Sequence, residues 1–305
     1  MQVDWTGIFP AITTKFTDDH ALDPAAMEDH LESQIQAGVD GLVMLGTLGE
    51  NASLSADEKQ EVLEVAVDVS DGRVPVLGGV AETTTRKACR FVERGTANGA
   101  DGFMVLPGML YHSDRRETLQ HFRTVADVSE RPLMIYNNPK AYDVDVTPEM
   151  FAELAEEEAL VAIKESSDDP RRITDIYNET GDRYQIFTGV DDIALESLFL
   201  GAVGWVAGLV NAFPEETVAL YQLAKAGRVE EARELYRWFT PLLHLDVSTK
   251  LVQNIKLAEA MVGLGTEPVR PPRLPLAGEE RERVQEVITQ ALETRPDLDA
   301  VALPG

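Results

Sequence analysis

Short apolar runs rich in β-branched residues alternate along this chain with longer segments of helical period, about eight times before the pattern changes. The strand candidates are GIFPAITT, DGLVMLG, VPVLGGV, DGFMVL, PLMIYN, LVAIK, YQIFTG and GWVAGLV. Helical patterns begin near Pro24, Ala56, Thr84, Arg116, Pro148, Pro170, Asp191 and Pro214, several of them after a Ser, Thr or Asp of the kind that caps a first turn. Eight such units in series predict an α/β chain closed into a (β/α)8 TIM barrel. The stretches AGVDGLVMLG (37–46) and NGADGFMVLP (98–107) share Gly-x-Asp-Gly before an apolar run, the repetition expected of a fold made of like units. A doubly wound open sheet is the main alternative. Against it, no GxGxxG opens a helix after the first strand and no GxxxxGK[ST] occurs anywhere.

After about Gly227 the strands stop and three helical stretches follow, VEEARELYRWFTPLLHLD, TKLVQNIKLAEAMVGL and GEERERVQEVITQALET, the last set off by PVRPPRLP. The expected organisation is a barrel over residues 1–226, a helical extension of the same domain over 227–295, and a loose tail over 296–305. At 305 residues the chain has room for both.

Acidic residues outnumber basic ones 53 to 27, a net charge of −26. The excess lies on helix-like segments such as ADEKQEVLEVAVDVSD, so it predicts an acidic solvated surface that repels nucleic acid and anionic lipid. Such self-repulsion is best tolerated where salt screens it, which points to a halophilic setting. No run of about 18 apolar residues is present to span a bilayer. The N-terminus lacks a basic start, apolar stretch and cleavage site, and the expected location is the cytoplasm. The single Cys89 excludes an intramolecular disulfide and a cysteine-rich zinc site, and is expected to face the core.

Barrel active sites lie at the C-terminal ends of the strands, so a polar residue closing an apolar strand is informative. Four strand ends qualify: Gly46-Thr47-Leu48-Gly49-Glu50, Tyr136-Asn137-Asn138-Pro139, Lys164-Glu165-Ser166-Ser167 and Gly189-Val190-Asp191-Asp192. Lys164 follows Leu-Val-Ala-Ile, where desolvation lowers a lysine pKa and supplies a neutral amine that attacks carbonyls. The same spacing allows a lysine that leaves for solvent or pairs with Glu165. Tyr136 closes the preceding strand and is either packing or a phenol able to relay protons. The glycines around Thr47 and Leu48 permit close backbone approach, so their amides could hold a carboxylate, or form a simple tight turn. Asp191 and Asp192 could meet substrate hydroxyls or begin the next helix as favourable acids.

Gly46-Thr47-Leu48-Gly49-Glu50, Tyr136-Asn137-Asn138-Pro139, Ala162-Ile163-Lys164-Glu165, and Gly189 followed by Gly204-Trp205-Val206 resemble the ordered motifs of the dihydrodipicolinate synthase and N-acetylneuraminate lyase family. The resemblance runs from Gly7 to about Ala291. It implies a class I lyase on a (β/α)8 barrel, usually a homotetramer, with no metal or organic cofactor. It implies Lys164 as the Schiff-base former with a small 2-oxo acid, Tyr136 as proton relay and Thr47 as its hydrogen-bonded partner. Substrate binding falls to Gly46, Leu48, Gly49, Glu50, Gly189 and Val206.

Synthase members of that family carry an arginine shortly after the Tyr-Asn-x-Pro motif, whereas here Lys140-Ala141-Tyr142-Asp143-Val144-Asp145 follows. Leu48 replaces a second hydroxyl in the glycine loop, and paired tyrosines near the fourth strand are reduced to Leu110-Tyr111. In finer detail, Gly-Thr-Leu-Gly-Glu-Asn (46–51), Val-Asp-Val-Thr-Pro-Glu (144–149), and Leu-Tyr-Arg-Trp-Phe with Pro-Leu-Leu-His-Leu-Asp (235–246) resemble the branch of 1-pyrroline-4-hydroxy-2-carboxylate deaminases. Aldolases and dehydratases of 2-keto-3-deoxy sugar acids use the same enamine, and a dihydrodipicolinate-type synthase is a further alternative. From other classes, an inactive barrel used for binding and a metal-dependent lyase are the alternatives. The imidazoles His20, His30, His112, His121 and His244 form no recognisable ligand pair for the latter.

Overall fold

In a computed structural model that describes residue 1 and residues 3–298, eight parallel strands form a (β/α)8 barrel. They are β1 (Gly7–Pro10), β2 (Leu42–Met44), β3 (Val76–Val80), β4 (Gly102–Val105), β5 (Leu133–Asn137), β6 (Leu160–Glu165), β7 (Gln185–Thr188) and β8 (Gly204–Ala207). Pairing runs in sequence order from β2 to β8, and β8 returns to β1. A parallel bridge between Ala11 and Val43, with the Ile12 amide donating to Val43 O at 2.9 Å, joins β1 to β2 and closes the ring. Between strands lie α1 (Pro24–Gln36), α2 (Ala56–Ser70), α3 (Thr85–Ala97), α4 (Arg115–Val128), a single turn α5 (Pro139–Tyr142), α6 (Pro148–Glu153), α7 (Arg171–Thr180), α8 (Ala194–Phe199) and α9 (Pro214–Lys225). Local sequence sets the helix starts. Ser55 with Glu58 and Asp114 with Glu117 form capping boxes, while Asp23 and Thr84 each accept a first-turn amide.

The repeated Gly-x-Asp-Gly has a physical cause at each position. Gly38 and Gly99 take φ of +89° and +91° as the chain leaves a helix, where a side chain would be strained. Asp40 and Asp101 then turn back, their Oδ2 atoms accepting from the amides of Ile8 (2.8 Å) and Val76 (2.9 Å) on the neighbouring strand. Gly41 and Gly102 leave space for a ring: a Cβ there would sit 2.2 Å from Phe9 and 2.5 Å from Trp5. Phe9 meets Phe187 edge-on at 5.1 Å. Each such buried ring contributes about 1.5–3 kcal/mol and helps fill the lumen with side chains.

Three helices follow, α10 (Val229–Leu243), α11 (Leu251–Val262) and α12 (Gly278–Glu293). The helix α11 carries Lys256 and Glu259, both fully buried, to the barrel's catalytic end. There Lys256 Nζ donates to Glu50 Oε1 at 2.7 Å, and Lys15 donates to Glu259. The part of the expected tail at 299–305 lies outside the described residues. Among the described residues no helix is long and apolar enough to cross a membrane.

Candidate active site

Parallel pairing of β5 with β6 sets Tyr136 opposite Lys164. On a strand, successive side chains alternate, so Lys164 points inward and Glu165 outward. Glu165 is indeed occupied elsewhere: its Oε2 accepts from Asn137 Nδ2 at 3.0 Å and its Oε1 from the Ser167 amide at 2.6 Å. A Lys164–Glu165 pair is therefore not formed. Lys164 is 6% exposed, and its Nζ lies 4.4 Å from the centre of the Tyr136 ring. Gly189, ending β7, gives the lysine stem its space, because a Cβ there would sit 2.4 Å from Lys164 Cε and 2.2 Å from Ser166 Oγ.

A cavity of 370 Å³ opens over Lys164 at the C-terminal ends of the strands. The structure brings Lys164, Tyr136, Thr47, Gly46, Leu48, Gly189 and Val206 to its wall. The amides of Thr47 and Leu48 have no hydrogen-bond acceptor among the described residues, which leaves them free for an anion. Two lysines line the cavity and no arginine does; Lys140 is paired with Asp168 at the rim. The acidic lining comes from Asp168 and Asp246.

Burial sets the titration of the central groups. It pulls the Lys164 amine below the usual lysine range, partly opposed by the nearby charges of Asp246 and Asp191. It pushes the Asp246 carboxyl well above the carboxylate range, with Asp191 acting in the same sense and Lys164 against it. It also raises the Tyr136 phenol, while the hydrogen bond from Asn138 Nδ2, at 3.1 Å, works the other way. Both groups of the Lys164–Asp246 pair are thus driven toward their neutral forms.

Several expectations are corrected by geometry. Thr47 does not bond Tyr136; its Oγ1 lies 2.6 Å from the hydroxyl of Tyr142, whose ring meets Tyr136 edge-on at 5.8 Å. Asn138 caps the one-turn helix α5, its Oδ1 accepting from the Ala141 amide, and that turn inserts Tyr142 between the two. Glu50 and Gly49 do not line the cavity. Glu50 takes φ of +50° and turns its carboxylate to Lys256 and the Arg270 amide, while Gly49 is pressed against the backbone of Leu45 and Ile12. Asp191 starts a short helix yet is fully buried, accepting from Trp205 Nε1 at 3.0 Å and from the amides of Gly208 and Leu209. Tyr111 is 63% exposed and donates to Glu117. His30 and His121 are buried against carbonyl and side-chain oxygens, and no group of three or more metal-ligating side chains exists among the described residues. Cys89 is half-buried against the core, its thiol facing Thr124 O at 3.7 Å.

Sequence reasoning missed Tyr142, Ser166 and Asp246. Asn138-Pro139, a capping residue before a proline, is the signal that could have placed Tyr142 on a helical turn. Asp246 closes the Pro-Leu-Leu-His-Leu-Asp stretch already singled out in the sequence, but nothing local there places it at the site.

Residues 4–291 match the profile described as the dihydrodipicolinate synthetase family. A 4-hydroxy-tetrahydrodipicolinate synthase from Methanothrix thermoacetophila is 33% identical, over 96% of this chain and 99% of its own. One of the same name from Natronomonas pharaonis is 36% identical, over 93% and 97%. The solved structure of the 4-hydroxy-tetrahydrodipicolinate synthase from Methylacidiphilum fumariolicum SolV superposes with a TM-score of 0.92 at 28% identity, covering 98% of each chain.

Proposed function

The chain belongs to the dihydrodipicolinate synthetase family of class I, aldolase-type lyases, and from that premise we propose that Lys164 forms a Schiff base with a 4-hydroxylated 2-oxo acid or its cyclic imine. The observation that carries this is the buried Lys164 amine beside Tyr136, in one cavity with the free amides of Thr47 and Leu48. The preferred substrate is 1-pyrroline-4-hydroxy-2-carboxylate, and the reaction is its deamination.

The substrate carboxylate binds the Thr47 and Leu48 amides, which sets its 2-carbon before the amine. Lys164 attacks that carbon, the bond to the ring nitrogen breaks, and a protonated imine with a free amine tail results. The imine withdraws the electrons of a C3–H bond, and the Tyr136 oxygen takes up that proton as it passes its own to the Tyr142 and Thr47 hydroxyls behind it. The enamine then expels the 4-hydroxyl as water. The tail isomerises to an imine and hydrolyses, giving ammonia, and a second water frees 2,5-dioxopentanoate from Lys164.

The relatives' names raise a synthase reading. The lining supports it less, since beyond the two lysines no cationic group stands ready for a second carboxylate, and two acids do. The cytoplasmic, salt-rich setting and the homotetramer belong to the same proposal. The salt-rich setting is supported by the −26 net charge, and the homotetramer by Leu110 and Tyr111, exposed side by side after β4. Light scattering at high salt tests the tetramer.

Borohydride reduction with pyruvate should mark Lys164 by mass spectrometry; an unmarked lysine sinks the proposal. Ammonia release from the hydroxy-pyrroline carboxylate, assayed beside pyruvate or water release from 2-keto-3-deoxy acids, then separates deaminase from aldolase and dehydratase.

A further inference from the structure

We propose that Asp246, contributed by the C-terminal extension, is a further catalytic residue: the acid that protonates the hydroxyl leaving the substrate's 4-carbon. The proposal rests on the Schiff-base reading of Lys164. After α10 the chain crosses the barrel mouth, and Asp246 through Thr249 line the same cavity as Lys164. Gly208 makes the place for the carboxyl, since a Cβ there would lie 2.2 Å from Asp246 Oδ1 and 2.6 Å from its Cγ.

The other carboxylates near the cavity have partners. Asp191 accepts from three donors, Asp192 Oδ2 faces His244 Nδ1 at 2.9 Å, and Asp168 is paired with Lys140. Asp246 makes no side-chain hydrogen bond among the described residues; its Oδ1 is buried against Gly208, and the residue borders the cavity. An unsatisfied buried polar atom costs about 1–3 kcal/mol, a cost that a ligand bonding the Asp246 carboxyl would offset. Burial pushes the Asp246 carboxyl well above the usual carboxylate range, toward the protonated form that is able to donate.

Loss of a hydroxyl from an enamine has one chemical difficulty, because hydroxide leaves poorly. In the proposed step the enamine electrons expel the oxygen from the 4-carbon, the C–O bond breaks, and the oxygen takes the Asp246 proton to depart as water. The Asp246 carboxylate recovers a proton from water entering at the mouth.

The test compares three readouts in wild type and Asp246→Asn: borohydride trapping with pyruvate, deuterium exchange at the pyruvate methyl, and ammonia release from 1-pyrroline-4-hydroxy-2-carboxylate. Asp246→Asn is expected to retain trapping, and exchange within about tenfold, while ammonia release falls at least about 100-fold, the scale of a lost general acid. Gly208→Ala, which drives a methyl against the carboxyl, should reproduce that split, with thermal melts reporting that both variants fold. Ammonia release within about threefold of wild type, or exchange falling in parallel with it, overturns the proposal. Wild type untrapped by pyruvate overturns the Schiff-base reading itself. Wild type that is trapped but releases no ammonia overturns only the deaminase reading, and the same comparison is then made on water loss from 2-keto-3-deoxygluconate. Water loss unaffected by Asp246→Asn, or absent from wild type, overturns the role of Asp246.

Discussion

Two sets of buried charges stand near each other at the catalytic end of the barrel, and they differ in completeness. In the first, Glu259 accepts from Lys15 and from Thr13 Oγ1 at 2.7 Å, while Lys256 donates to Glu50 and to Pro268 O, both at 2.7 Å. All five of those side chains are at most 1% exposed. In the second, neither the Lys164 nor the Asp246 side chain makes a hydrogen bond among the described residues. Removal of either member of a complete pair leaves an uncompensated charge, so the first set holds α11 to the barrel. An incomplete set gives the fold little and leaves its valences for a substrate.

The sharpest way to break this contrast is Lys164→Ala. Turnover should fall at least about 10⁴-fold, the scale of a lost covalent nucleophile, with the melting transition nearly unchanged. The sign of the pH effect follows from the lowered amine. Attack requires loss of a proton, so trapping by pyruvate rises with pH and reaches its plateau below the ordinary lysine value of about 10.4. A limb at that ordinary value would contradict the desolvated site.

Glu259→Gln should do the reverse, lowering stability by about 3–5 kcal/mol in urea melts while folded enzyme still traps pyruvate. The double change Lys15→Met with Glu259→Leu should recover most of that loss, because both buried charges are then absent. Tyr142→Phe sharpens the comparison within the site. Its kcat is expected to drop about 10–100-fold with trapping retained and stability changed by about 1 kcal/mol. The smallest effect is from salt. Raising it from 0.1 to 1 M shortens the Debye length from about 10 to 3 Å, which should lift the melting midpoint of the acidic chain. The Glu259→Gln deficit should stay within about 0.5 kcal/mol, since a pair out of water is little screened.

What was legible in the sequence follows the range of the forces involved. Strands and helices showed through because hydrophobic period is local, and Lys164 showed through because a charge closing Leu-Val-Ala-Ile breaks that period. Tyr142 did not, because a four-residue turn has no period to detect. Glu50 looked like a ligand in a glycine loop, since its partner Lys256 lies 206 positions further on. Asp246 was hidden for the same reason: its meaning comes from Gly208 and Lys164, which only the crossing of the extension brings to it.

That crossing makes the molecule separable in a practical sense. The strands carry the imine chemistry, and a short segment after α10 carries the acid proposed to decide what becomes of the enamine. Grafting that segment, with glycine at the position of Gly208 to receive it, onto another barrel of this kind would offer a route to redirect the outcome of a reaction without rebuilding its first step.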